Sequence, residues 1–500
     1  MRRIWGVLAV LAGLAVVVPA VPAAAAGSDD IAGFEYVALG DSYSAGFGLT
    51  PFSGTSPFTA TPSTDPNGCY QADANYPHLV ASQFGLVIDD QTCSGAVSAN
   101  LGYPTGTTLS VPPTVNTLPE LPAGSEIQTT MTAQTALQLQ TAGLSASTDI
   151  VTVAIGGNDV GFADIAEACI RLTNGSGSFA TGLQFLASIS VANCQDYFDD
   201  ETTYPDAYLR GRLATYVVPR INAVMQEIKA AAPNAQVFVV GYPSIAPSDP
   251  TVANACFTSP LPPGTNTVPF SGTDLLFINE IEGLIDDALQ TAATDNGFHF
   301  VSSAASTAAN TLCQADPWIS GLTVEYPSGS PATCPANYQP LGHDGNVYVC
   351  VALGALHPNA NGVANLASIV AAAITPAFSI SVTGGSPTPG GTITIAASGF
   401  QPNEQVEVVL HSTPVSVGTF TASASGGFTG SVVIPSDVPP GAHSLVATGL
   451  SSARAFSVAF TVELPNTGVQ TTLPLLLGLC LLTTGFLLVV VRRRSESRPD

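Results

Sequence analysis

Basic residues are scarce in this chain: 12 lysines and arginines stand against 36 aspartates and glutamates over 500 residues, a formal net charge of −24. Between residues 27 and 467 only Arg171, Arg210, Arg212, Arg220, Lys229 and Arg454 are basic, against 34 acidic residues, so that segment sits at −28. A nucleic-acid binder needs a cationic patch to displace the counterions of the phosphates. That footprint is missing, and nucleic-acid partners are excluded. The same balance disfavours long-range attraction of any polyanion. Closely spaced cysteines are missing too. The nine cysteines include no Cys-x-x-Cys pair, which removes the spacing of the common zinc sites; neither a metal nor an organic cofactor is expected. Charge of either sign is absent over residues 473–491, and nineteen such positions suffice to cross a bilayer.

What is present begins at the two ends. Residues 1–26 carry two arginines, an apolar core and Ala24-Ala25-Ala26 ahead of Gly27. That is the pattern of a secretory signal peptide cleaved near residue 26, not of a membrane helix in the mature protein. At the far end Leu464-Pro465-Asn466-Thr467-Gly468 precedes the uncharged span 473–491 and then Arg492-Arg493-Arg494, which would hold that end inside. Pentapeptide, span and basic tail, in that order over 464–500, resemble the wall-sorting signal of Gram-positive surface proteins. The resemblance implies that a sortase cuts between Thr467 and Gly468 and joins the new carboxyl end to cell-wall peptidoglycan. The membrane span is then transient. The expected location is the cell surface, attached covalently to the wall, or the membrane where sorting does not occur.

Eight cysteines lie between residues 69 and 350, and Cys480 falls inside the apolar span. An even number in an exported chain argues for disulfides. Their order suggests pairing of neighbours: Cys69–Cys93, Cys169–Cys194, Cys256–Cys313 and Cys334–Cys350, one connectivity among many.

Composition divides the rest in two. Over residues 31–372 short apolar runs such as "DIVTVAIGGND" (149–159), "AQVFVVGYP" (235–243) and "FHFVSS" (298–303) alternate with Ala-rich stretches at 76–85, 213–233 and 272–297. Strand, helix, strand in that order predicts a parallel sheet with helices on both faces. Proline-rich polar loops at 48–69 and 256–272 are of the kind that line clefts. Over 376–462 period-two runs alternate with Gly, Pro and Asn turns, which reads as a small β-sandwich spacer. It looks like the immunoglobulin-like modules that precede sorting signals; His411 and His443 are read there as strand or turn residues.

A hydrolytic serine needs a base, an orienter for that base, and donors for a developing oxyanion. Four stretches, each at a loop edge, offer a candidate for nearly every role. In "FEYVALGDSYSAGFG" (34–48) an apolar run, Tyr36 to Leu39, ends at Gly40 and leads into Asp41-Ser42. In "QTCSGAVSA" Gly95 can present its N–H with no side chain in the way. In "VAIGGNDVGF" Asn158 follows a strand and the tight turn Gly156-Gly157. In "LGALHPNANG" the proline after His357 restrains the histidine toward extended geometry, ahead of a final helix. His78, His299 and His343 compete for the base role. Asp41 adjoins the serine but cannot readily face it, and with Asp159 is read as bracing its loop.

The four stretches together resemble the SGNH hydrolases, or GDSL esterases and lipases, of the secreted actinobacterial type, over roughly residues 34–372. Gly40-Asp41-Ser42-Tyr43-Ser44 is similar to the nucleophile block, Gly95 to the glycine block, Gly156-Gly157-Asn158-Asp159 to the Gly-x-Asn-Asp block and His357-Pro358 to the histidine block. "CYQADANYPHLVA" (69–81) and "CSGA" (93–96) also look like secreted lipases in which two such cysteines are bridged. Serine at the fifth place of the first block, where a Gly-x-Ser-x-Gly elbow has glycine, argues against an ordinary α/β-hydrolase. The family fold is α/β, flavodoxin-like and three-layered, with the serine after the first strand and the histidine near the last helix.

One departure stands out. Many members carry an aspartate three residues before the histidine, a place held here by Gly354. Some secreted members use a backbone carbonyl instead, and the resemblance implies the same here, from Gly354 or Ala355. No catalytic aspartate is assigned, and Asp344 or a more distant acid would have to fold back to take that role. The expected mechanism has Ser42 attacking, His357 as base, and the oxyanion held by the N–H groups of Ser42 and Gly95 and the Asn158 amide. Phe47, Phe52 and Phe58 could line an acyl site. Fatty-acyl esters are the first reading, O-acetyl or O-acyl groups on surface carbohydrates the second, and a non-catalytic adhesion module the third. The catalytic domain is expected to be monomeric.

Overall fold

The computed structural model describes residues 31–49, 69–107, 109, 139–162, 165, 194–203, 208–257, 270–325, 338–344, 347–412 and 414–464. Residues 1–30, with the expected signal peptide, the residues after 464, with most of the expected sorting signal and its span at 473–491, and Phe52, Phe58, Cys169 and Cys334 lie outside the described residues.

Five parallel strands form the central sheet: β1 (Glu35–Gly40), β2 (Val87–Asp90), β3 (Ile150–Ala154), β4 (Gln236–Val240) and β5 (His299–Val301), in the order β2-β1-β3-β4-β5. That is the order of flavodoxin-like sheets. Alternation along β1 explains how both faces are covered. Val37 and Leu39 enter one core cluster with residues of helices Val218–Ala231 and Gly272–Asn296. Tyr36 and Ala38 enter the other, with helices Tyr76–Phe84 and Ala360–Ala377. Side chains of a strand point to opposite faces in turn, so a run apolar throughout must be covered on both sides.

We number the helices used below α1 (Ser42–Ala45), α2 (Tyr76–Phe84), α3 (Gly157–Val160), α4 (Val218–Ala231), α5 (Gly272–Asn296) and α6 (Ala360–Ala377). Local chemistry sets their ends. Asn75 caps α2 through His78 N–H, and Gly85 closes it in the left-handed region. Ser271 and Asp274 form a reciprocal capping box on α5, and Gly297 ends it. α6 is the described helix long and apolar enough to cross a membrane. It instead buries Val363, Leu366, Val370 and Ile374 in the core with α2 and the sheet.

A small antiparallel sheet, β6 (Val324–Glu325), β7 (Tyr338–Asp344) and β8 (Val347–Ala352), precedes the His357 segment. After α6 the chain passes at once into β9 (Ser379–Gly385) and a sandwich of two antiparallel sheets. One is ordered β13-β10-β9, with β10 (Thr392–Ser398) and β13 (Phe428–Val433); the other is β12-β11-β14-β15, with β11 (Gln405–His411), β12 (Val415–Thr421), β14 (Gly441–Gly449) and β15 (Ala455–Val462). Alternate positions of β10, β11 and β14 are buried, as one solvated and one packed face require.

The sandwich is packed onto the first domain. Phe378 is fully buried, with ring centroids 5.7 Å from Phe34 and 6.0 Å from Phe456. Arg454, also buried, pairs with Asp149 and donates to the carbonyls of Gly399 at 2.9 Å and Asn234 at 3.4 Å. Its guanidinium lies over Phe34, 5.6 Å from the ring centre. Asp149 and Asn234 stand just before β3 and β4, so the sandwich covers the end of the sheet opposite to Ser42.

Candidate active site

Ser42 follows β1 at the carboxyl end of the sheet, beside the point where strand order reverses between β1 and β3, the usual ligand crevice of such folds. Asp41 caps the one-turn helix α1 by accepting from Tyr43 N–H at 3.0 Å. Gly40 before it has φ +144, and a Cβ there would lie 2.5 Å from Ser44 Oγ and 2.7 Å from the Ala154 carbonyl. Only glycine fits so close a turn. The Gln140 side chain holds both polar groups of Gly40, accepting its N–H at 2.8 Å and donating to its carbonyl at 3.0 Å.

The structure brings His357 to this serine: Nε2 lies 2.8 Å from Ser42 Oγ. Its Nδ1 lies 2.9 Å from the carbonyl of Ala355, not that of Gly354. A carbonyl can only accept, so Nδ1 carries the proton and Nε2 presents its lone pair to the serine hydroxyl. Residues 318–320 hold this segment. Ser320 N–H donates to the His357 carbonyl at 2.8 Å, Leu356 N–H to the Ser320 carbonyl at 3.0 Å, and Ile319 bridges Pro358. The imidazole packs on Tyr43, with centroids 4.7 Å apart, and meets Phe47 edge-on at 5.1 Å. Burial pushes its pKa down to about 4, and the Ala355 carbonyl opposes this in part.

Gly354 has φ +75, and a Cβ on it would lie 2.7 Å from Gly48 Cα. The place of the aspartate that many similar proteins carry is therefore closed to any side chain.

The loops that carry Gly95 and Asn158 meet beside the serine's loop. Gly95, at φ +82, follows Ser94, whose N–H donates to the Cys69 carbonyl at 2.9 Å; Cys69 is bridged to Cys93. Asn158 sits in α3 after Gly156, which has φ +119. Its Nδ2 donates to the Ala96 carbonyl at 2.9 Å; an amide nitrogen has two hydrogens, so one remains for another acceptor. Asp159 accepts from Ser98 N–H at 2.9 Å and from the Ser98 hydroxyl, tying the two loops together. Burial raises the pKa of Asp159 and takes that of Asp41 to about 7.

The other histidines are elsewhere. His78 lies 3.7 Å from Asp90, and His299 stacks on Phe238 and meets Gln236 at 3.0 Å. His343 lies in β7. In the sandwich His443 is bonded to Ser412 and the Pro439 carbonyl. Cys256 and Cys313 are bridged; Cys194 and Cys350 are disulfide-bonded as well. Tyr43, Gln140, Tyr242 and residues 318–320 were not singled out from sequence. Tyr43 adjoins Ser42 and could have been found as its aromatic neighbour; the others carry no local signal.

A serine hydroxyl on an imidazole that is itself held by a carbonyl has the chemistry of acyl transfer. Residues 38–364 match the GDSL-like lipase/acylhydrolase family. The chain belongs to that family and is a carboxylic ester hydrolase of the SGNH type. Residues 377–462 match the macroglobulin-like domain. Among curated relatives, Lipase 2 of Streptomyces coelicolor is 28% identical over 300 residues, covering 58% of this chain and 76% of that protein. An esterase of Streptomyces scabiei is 28% identical over 322 residues, covering 62% and 80%. Among solved structures, the phospholipase A1 of Streptomyces albidoflavus is 22% identical, with a TM-score of 0.42, covering 69% of this chain and 100% of that one.

Proposed function

We propose that the protein is an exported, wall-attached lipase or esterase that cleaves fatty-acyl esters through an acyl-enzyme on Ser42. The observation that carries this reading is the line Ser42 Oγ, His357 Nε2, His357 Nδ1 and Ala355 carbonyl, with contacts of 2.8 and 2.9 Å.

His357 takes the hydroxyl proton as Oγ bonds to the ester carbonyl carbon. The negative charge moves to the former carbonyl oxygen, which accepts from the N–H groups of Ser42 and Gly95 and from the second Nδ2 hydrogen of Asn158. Collapse expels the alcohol, which receives the proton from His357. Water, deprotonated by the same imidazole, then releases the acid. The Ala355 carbonyl fixes the tautomer and faces the imidazolium while it lasts. Removing one oxyanion donor costs about 3 kcal/mol in such sites.

Phe47, packed on His357 and 5.6 Å from Tyr70, supports an apolar acyl side, as do the names of the curated relatives. The leader over 1–26 and the bridged cysteines support export. The sorting pattern Leu464 to Gly468, beginning two residues after β15 ends, supports attachment through sortase to peptidoglycan.

The test is turnover of acyl esters from two to sixteen carbons by residues 27–463, with Ser42→Ala and His357→Ala alongside. A maximum at long chains, lost in both variants, is expected. A maximum at acetate points instead to carbohydrate O-acetyl groups, and turnover independent of Ser42 overturns the mechanism.

A further inference from the structure

Tyr242 lies two residues after β4, buried, and its hydroxyl occupies a position shared by two loops. It donates to Asp41 Oδ2 at 2.5 Å and accepts Gly157 N–H at 3.0 Å. Asp41 is the residue before Ser42, and Gly157 is the residue before Asn158. One oxygen thus joins the backbone that carries the proposed nucleophile to the backbone that carries the proposed oxyanion amide.

The tyrosine is itself held. Its N–H donates to Asp286 Oδ1 of α5 at 2.8 Å, and its ring meets Tyr43 edge-on at 5.2 Å. The lack of a side chain at residue 157 follows from the same approach: a Cβ there would lie 3.1 Å from the hydroxyl oxygen and 3.2 Å from Cζ. On its other side α3 is fixed by Asp159 to Ser98. Asn158 is therefore braced twice, toward the Gly95 loop by Asp159 and toward the Ser42 loop by Tyr242.

We infer that Tyr242 is a positioning residue that sets the Asn158 amide against Ser42, an inference that rests on the proposed role of Asn158. Without the hydroxyl, a buried carboxylate oxygen and a buried N–H each lose a partner. The two loops are then free to shift, and small displacements of a positioned group reduce rate steeply.

The test is a double-mutant cycle on the full mature, oxidised protein with p-nitrophenyl butyrate as probe. Asn158→Ala is expected to lower kcat about 100-fold, as loss of an oxyanion donor does. Tyr242→Phe is expected to lower kcat about tenfold, with KM changed less than about twofold. Because Tyr242 acts through Asn158, the double variant is expected to fall within about twofold of Asn158→Ala alone. Losses that multiply, or a Tyr242→Phe effect confined to KM or to melting temperature, overturn the inference. A full-rate Asn158→Ala overturns the oxyanion role itself, and this inference with it. If Tyr242→Phe does not fold, Asp41→Asn takes its place in the cycle: a loss of kcat that does not multiply with that of Asn158→Ala supports the inference, and an additive or absent loss overturns it.

Discussion

The phenol of Tyr43 covers the imidazole of His357 at 4.7 Å while its hydroxyl donates to the carbonyl of Leu356 at 2.9 Å. Leu356 has φ +63, a left-handed conformation that costs a branched side chain about 1–2 kcal/mol. One side chain therefore both shields the histidine and holds the strained residue before it. Tyr43→Phe is expected to lower kcat several-fold by freeing Leu356. Tyr43→Ala is expected also to move the acid limb of kcat/KM toward pH 6.5, because water reaches the ring. A pH–rate profile of each variant checks this, and an unmoved limb in Tyr43→Ala contradicts it.

The depressed pKa of His357, about 4, has a direct consequence for the parent enzyme. The base is neutral, and so competent, down to mildly acid pH. kcat/KM is expected to hold at pH 5, where an unperturbed imidazole of pKa about 6.5 would be mostly protonated, and to fall as pH drops through about 4. Stability should run the other way with rising pH. Burial raises Asp41 and Asp286 to about 7 and Glu282 to about 8. Acids with raised folded-state values bind more protons folded than unfolded. Their contribution is full below the unfolded pKa and is lost as pH climbs through 7 to 8. His357 has the opposite sign, favouring the fold above about 6.5 and losing that contribution as pH falls through about 4. Asp90 and Asp159 are raised by burial in the same way, and His299 is lowered like His357; five raised acids outnumber two lowered histidines, so the melting temperature is expected to be higher at pH 5 than at pH 8, as calorimetry at both would show.

Gly354→Asp would install the carboxylate that many similar proteins carry, yet the turn has no room for it. A Cβ at 354 meets Gly48 Cα at 2.7 Å, and one at Gly48 meets Gly354 Cα at 2.3 Å. Activity is expected to drop at least tenfold as the His357 segment is pushed from Ser42. Activity equal to or above the parent's would show that the loop accommodates a conventional triad.

Arg454→Ala removes the buried cation that joins the sandwich to the sheet, leaving Asp149 and two carbonyls short of a partner. Breaking such a pair costs about 3 kcal/mol. A lower denaturation midpoint is expected, with kcat unchanged, since the contact lies at the end of the sheet away from Ser42. A lost kcat at full stability would mean the sandwich acts on the site itself.

The Ser42–His357 pair, which the structure brings to 2.8 Å, was legible in sequence because each residue sits at a strand end or loop marked by glycine or proline, where local pattern and chemistry coincide; the proposed donors Gly95 and Asn158 sit at loops with the same marks. The middle of the parallel sheet was legible from the apolar runs of β1, β3 and β4, while the edge strands β2, with Asp89 and Asp90, and β5, with His299, carry only short ones. Tyr242 was not: it stands 201 residues from Asp41 in a segment that reads as plain strand, and its role exists only once β1 and β4 flank β3. Gln140 and the 318–320 segment are of the same kind. The β6–β8 sheet was hidden by proline and glycine on either side of it. Arg454 looked like one more scattered basic residue; its burial against Asp149 depends on α6 passing into β9 without a linker.

The most direct measurement is reaction of the oxidised protein with a fluorophosphonate, followed by intact mass and peptide mapping. One adduct per chain on Ser42 is expected, absent in Ser42→Ala and much slower in His357→Ala. An adduct on another serine, or ester turnover that survives in Ser42→Ala, would contradict Ser42 as the nucleophile.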